Sequence, residues 1–261
     1  MKTFDAPADL VPQARSAVID LLYRMADDEL IIGHRDSEWT GHGPILEADI
    51  AFSSMAQDEM GHALTYYRLL EELGEGDPDT LAFGRPAEAF RCCSLVALPN
   101  QDWAFSLVRQ FLYDTAEHVR LTDLMTSAYL PLAQVARKLQ SEEKYHLMHG
   151  RTWIMRLGAA TADSRQRLQA ALIAAWPHAL GMFESTDAGE SLRHYEICPA
   201  ESKLCAQWQS AVAPVFREAG LRVPENIEPQ FGGRRGRHAP ELAELLGGMQ
   251  MVYNIDPAAK W

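Results

Sequence analysis

The chain has 261 residues, 47% of them hydrophobic, which is enough to bury a sizeable core. Its formal net charge is −12 and its isoelectric point is near 5.2, which excludes the basic surface that nucleic-acid binding requires. No run of 18 apolar residues occurs, so no membrane-crossing helix is expected. Met1 to Pro12 carries Asp5 and Asp9 and no apolar stretch, which argues against a secretory leader. Cys92, Cys93, Cys198 and Cys205 form no Cys-x-x-Cys pair and read as reduced thiols, mostly in the core. A cytoplasmic protein is expected.

Helical periodicity dominates from the start. Leu10 to Arg35 places Val18, Leu21, Leu22, Met25 and Leu30 at helical spacing. Trp39 to Pro44, with two glycines and a proline, interrupts the pattern, and a second helix is expected from Ile45 to Leu73. Gly74 and then Pro78 close it in the order usual past a helix C-terminus. Thr80 to Pro99 is less periodic and reads as a long connection with short elements. A third helix is expected from Gln101 to Tyr129. Pro131 suits the first turn of a fourth, which would run to Leu157, before Gly158. Further helices are expected over 165–183, 201–219 and 240–252, and nothing alternates in the manner of a sheet. The expected fold is all-α. One domain, 1–261, would consist of a four-helix core over about 10–157 and a helical extension over about 163–261.

The chemistry concentrates in two Glu-x-x-His motifs, Glu59–His62 and Glu143–His146, set 84 positions apart. A Glu and a His three apart share one helix face and can bind one ion together. One such motif means little in a chain with nine histidines. Here each is preceded by an acid at matching distance, Glu29 by 30 positions and Asp114 by 29. The midpoints fall at Pro44 and near Ala128, in the two helix breaks, so in antiparallel hairpins each acid faces its Glu-x-x-His. Four acids and two histidines, Glu29, Glu59, His62, Asp114, Glu143 and His146, form the ligand set of a ferritin-like bundle with two metal ions. Mixed carboxylate and imidazole donors suit two Fe ions, or alternatively Mn. Glu117 competes with Asp114 on the same face, and the spacing favours Asp114. Asp27 and Asp28 neighbour Glu29 without keeping its spacing. Asp58 and Glu142 precede the motif glutamates and are either partners for the ligand histidines or merely polar. His149 and the tyrosines at 66, 67, 113 and 145 lie near the motifs in sequence and read as packing residues.

The run Ala56 to His62 resembles the second-helix motif of the A-type component of the phenylacetyl-CoA epoxidase (monooxygenase) family. Most of the chain is similar to the family's C-type (PaaC) components. Arg35 to Pro44, Gly74 to Phe83, Pro99 to Trp103, Arg109-Gln110, Glu143 to His146, Gly232 to Gly236, His238 and Trp261 carry that likeness. The resemblance implies a ferritin-like fold and a multicomponent oxygenase. That enzyme epoxidises the aromatic ring of phenylacetyl-CoA with O₂ and electrons from a flavin/iron–sulfur reductase. It also implies partners: an A-type paralogue, the reductase and other copies in an oligomer. Known C-type components have lost the metal ligands and serve as structural partners. This chain departs from them by keeping Glu29, Glu59 and His62. It departs from the A type by carrying Met55 where a lysine stands four residues before the motif Glu.

The resulting expectation is an oxygenase component that retains a di-metal site. The alternatives are a structural component beside a catalytic paralogue, or a stand-alone di-metal oxidase. Arg234, Arg235 and Arg237 form the only dense basic cluster in the sequence. They could receive the phosphates of an aryl-CoA substrate. The reading favoured here is a contact loop pairing with acids of the same or a partner chain.

Overall fold

The computed structural model describes residues 3–259, so Trp261 lies outside the described residues. The described chain is helical, with no strand and one isolated backbone bridge between Phe4 and Tyr129. Two long antiparallel hairpins make the core. The first pairs α1 (Pro12–Ser37) with α2 (Leu46–Glu72). After the short helices α3 (Pro78–Phe83) and α4 (Ser94–Ala97), the second pairs α5 (Trp103–Leu124) with α6 (Leu130–Ala160). The connection from α2 to α5 is the long one, as the broken periodicity over 80–99 suggests.

Local chemistry sets these boundaries. Pro12 and Pro131 sit in the first turns of α1 and α6, where a missing N–H costs nothing. The Asp77 and Asp102 side chains cap α3 and α5 by accepting from the Thr80 and Phe105 N–H groups. Of the expected ends that move, two have a clear cause. α5 stops at Leu124 rather than 129 because the next residues bond elsewhere. Phe4 N–H donates to the Ala128 carbonyl, Leu130 N–H to that of Phe4, and Ala128 N–H to that of Glu196. α6 runs through Gly158, which sequence suggested as a stop. There the glycine permits close packing: a Cβ would lie 2.5 Å from the Ala219 carbonyl oxygen.

The second half of the chain covers the second hairpin. α7 (Ala162–Gly181) and α9 (Glu201–Glu218) pack on α5 and α6, and α8 (Gly189–His194) packs on α1. Trp208 of α9 donates its indole N–H to the Leu112 carbonyl and stacks on Trp176 at 5.0 Å. α5 is consequently buried on all sides, without a break from Ala104 to Glu117. α10 (Pro240–Met249) closes the described helices.

The three arginines over 234–237 do not form one exposed patch. Arg234 is buried, pairs with Asp28 at 2.7 Å, and donates to the Arg91 and Met182 carbonyls. Arg235 is half-exposed beside Glu184 at 3.3 Å, and Arg237 is exposed. The loop pairs with acids of its own chain, and its buried member has no face left for a phosphate. Asp27 is likewise committed, accepting from Tyr67, Arg85 and the Arg91 N–H. Removing one partner of a buried ion pair strands the other. Arg234→Ala is therefore expected to lower unfolding stability by about 3–5 kcal/mol, and Arg237→Ala by less than about 0.5 kcal/mol, in urea denaturation.

Candidate metal centre

Five of the six sequence-predicted ligands converge between the hairpins. Glu29, Glu59 and His62 form one group whose donor atoms lie within 4.8 Å of one another, and Glu59, Glu143 and His146 form a second. Glu59 belongs to both. Its Oε2 lies 3.4 Å from His62 Nδ1 and its Oε1 lies 3.4 Å from His146 Nδ1. Glu143 Oε1 stands between the rings, 3.6 Å from His62 Nδ1 and 3.4 Å from His146 Nδ1. Glu29 Oε2 is 3.7 Å from His62 Nδ1. Asp114 is buried nearby but joins neither group. Glu117 also joins neither, and accepts a 3.2 Å hydrogen bond from the Tyr66 hydroxyl.

Both histidines turn Nδ1 to the centre and are held from behind across the hairpins. His62 Nε2 lies 2.9 Å from Glu142 Oε2, and His146 Nε2 lies 3.2 Å from Asp58 Oδ2. The residue before each motif glutamate thus holds the histidine of the other motif, which requires α2 and α6 to run antiparallel. A carboxylate behind a ligand imidazole fixes its orientation and raises its basicity.

The donor set fits metal ions. Both oxygens of Glu29 and Glu143, Glu59 Oε2, Asp114 Oδ2 and the Nδ1 atoms of His62 and His146 are buried without a hydrogen-bond partner. Buried carboxylates without hydrogen-bond donors are unfavourable, and a cation among them, a protonated imidazole or a metal ion, offsets that penalty.

Comparison with known proteins gives the chain a family. A family described as "Phenylacetic acid catabolic protein" matches residues 1–261. The chain belongs to this family. It is 35% identical over 240 residues to the C-type component of the 1,2-phenylacetyl-CoA epoxidase of Escherichia coli K12, covering 91% of this chain and 96% of the relative. It is 29% identical over 185 residues to the A-type component of the same enzyme, covering 69% of this chain and 59% of that relative.

Within this member of the phenylacetic acid catabolic family, burial and the clustered charges together set the site's protonation. Burial, then the Glu59 charge, raises Glu29 well above the usual carboxylate range. Burial, then Glu143, does the same to Asp114. Burial alone would lower His62, but Glu59, Glu143 and Glu142 override it and push it up to about 9. His146 is raised in the same way by Glu143 and Glu59.

Three residues escaped the sequence reading. Gln110 donates from Nε2 to Glu59 Oε1 at 3.1 Å and to Asp114 Oδ1 at 2.7 Å. In sequence it stands four residues before Asp114, in the Arg109-Gln110 pair that shares in the family likeness, and neither assigns it a role. Asp36 lies two turns beyond Glu29, fully buried, its oxygens without a hydrogen bond and Arg109 at 3.6 Å. Burial pushes its carboxyl up to about 8. Gly33 lets α1 approach α2, since a Cβ there would meet Glu59 Cβ at 3.1 Å.

Two outcomes are expected. In the metal-free protein at neutral pH His62 is protonated, so binding Mn(II) must release that proton. Apparent affinity then falls as pH drops below about 9, by up to about tenfold per unit for each proton displaced, as read by calorimetry in buffers of different ionisation enthalpy. Asp58→Ala and Glu142→Ala each weaken binding about tenfold in the same titration, without unfolding the protein.

Proposed function

We propose that this chain is one component of a multicomponent epoxidase acting on phenylacetyl-CoA or a related aryl-CoA thioester. In this reading it retains a carboxylate-bridged centre for two ions, iron in preference to manganese. Glu29, Glu59, His62, Asp114, Glu143 and His146 would hold them. The observation that carries the reading is the set of unpartnered buried donors on four helices, in a chain similar over nearly its whole length to one component of an epoxidase.

Reduced iron held in such a site supplies activation of O₂, which apolar and carboxylate side chains alone cannot perform. The chain's own residues do the rest. Glu59 and Glu143 stand between the two histidines, where they would hold both ions. Glu142 and Asp58 keep both imidazoles turned inward. α5, covered by α7 and α9, excludes water from the second hairpin's side of the site. The related proteins are named as the C and A subunits of one enzyme, which supports an A-type partner.

The higher identity to the C-type relative favours a second reading, in which the chain supports catalysis in an A-type paralogue. Two measurements separate these. Anaerobic loading with Fe(II) followed by elemental analysis is expected to give about two ions per chain, and His62→Ala with His146→Ala is expected to abolish uptake. A folded protein that takes up no iron sinks the metal-centre reading. In a complex reconstituted with its A-type paralogue, unchanged turnover by the iron-free double variant assigns the chain the supporting role.

A further inference from the structure

The two ion positions do not have equal donor sets. Around His62 Nδ1 lie Glu29 Oε2, Glu59 Oε2 and Glu143 Oε1, all within 3.7 Å, and none of these atoms has a hydrogen-bond partner. Around His146 Nδ1, among the described residues, the carboxylates within 4 Å are those of Glu59 and Glu143, whose Oε1 atoms each stand at 3.4 Å. Of these two, Glu59 Oε1 is already engaged by the Gln110 amide. The same amide nitrogen holds Asp114 Oδ1 at 2.7 Å, while Asp114 Oδ2 is buried and unpartnered. Asp114, one methylene shorter than its counterpart Glu29, stays outside the second group.

We infer that the two positions are inequivalent and that Gln110 is the positioning residue that makes them so. The inference rests on the metal-centre reading above. The position at His62 has four free donors and fills first. The position at His146 has its imidazole, the Glu143 oxygen that it shares with the first position, and a third donor that a hydrogen bond occupies. Its fourth, Asp114, is tethered by the same amide. An ion entering there competes with Gln110 for Glu59 Oε1 and draws Asp114 against its tether. Gln110 is fully buried, so no water replaces the bonds it gives up, and the competition is not softened by solvent. The second position is therefore the weaker and more open one, the side on which an exogenous ligand meets fewest protein donors.

Mn(II) titration of the metal-free protein tests this, followed by calorimetry and by electron paramagnetic resonance of free and bound ion. The wild type is expected to bind in two steps, the second at least about tenfold weaker. Gln110→Leu, which keeps the volume and removes the amide, is expected to strengthen the second step about tenfold and leave the first within about twofold. Asp114→Ala in the Gln110→Leu background is expected to cancel that gain. Glu29→Gln is expected to weaken the first step selectively. Two equal steps in the wild type overturn the inference while leaving the metal centre standing. So does a folded Gln110→Leu protein, by circular dichroism and melting, whose steps move together or not at all. If Gln110→Leu does not fold, the wild-type steps and Glu29→Gln still decide. Uptake of no ion at all removes both the centre and the inference.

Discussion

The constraint on which the rest of this structure depends is the burial of four carboxylates around two imidazoles in a dry core. Glu29, Glu59, Asp114 and Glu143 are 0–1% exposed, and among the described residues no lysine or arginine pairs with the two donor groups at the centre. Elsewhere the chain neutralises buried acids with arginine. Arg85 holds Asp27, Arg234 holds Asp28, and Arg24 with Arg120 holds Glu201, whose carboxyl is kept down at about 2 against burial, by the arginine charges. The centre has no such fixed cation. Desolvating an isolated carboxylate is expensive enough that such a group either takes a proton or binds a metal. Protonation shifts and unpartnered donors at the centre are two expressions of that one fact.

The scaffold follows from this requirement. Each hairpin supplies one acid-bearing helix and one Glu-x-x-His helix, and Gly33 brings α1 close enough to α2 for Glu29 to meet His62. α5 is buried around its whole circumference because α7 and α9 take the place of solvent, anchored by the Trp208 indole on the α5 backbone. Crossing contacts between Glu142 and His62, and between Asp58 and His146, tie the hairpins together at the level of the site. Those two carboxylates keep side-chain exposures of 40% and 47%, so the outer support of each histidine reaches the surface. Events at the α2–α6 face are thereby coupled to the orientation of the buried rings.

Much of this was legible in the amino-acid order. Spacings of 30 and 29 residues across two helix breaks are enough to predict that Glu29 meets Glu59 and His62, because residues equidistant from an antiparallel turn stand at the same height. Asp58 and Glu142 were legible as partners for the ligand histidines or as merely polar, and which histidine each reaches depends on the pairing of α2 with α6. Spacing also chose Asp114, but it could not show that a neighbouring amide keeps the acid outside the second donor group. Gln110 has no motif of its own, and Asp36 is one acid among 36 Asp and Glu residues. The arginine cluster misleads in one dimension, since its three members face three different environments.

The sequence by itself determined the helical class, the two hairpins and the convergence of Glu29, Glu59, His62, Glu143 and His146. These depend on periodicity, helix punctuation and distance along the chain, which are local properties. Tertiary structure alone decided which buried acids are neutralised by arginine and which are not. It decided that each histidine is braced from the opposite hairpin, and that the two half-sites, nearly matched in spacing, differ in their free donors. The physical reason is that desolvation and hydrogen-bond competition depend on every group packed around an atom, and those neighbours come from residues up to 210 positions away, as Arg24 and Arg234 do.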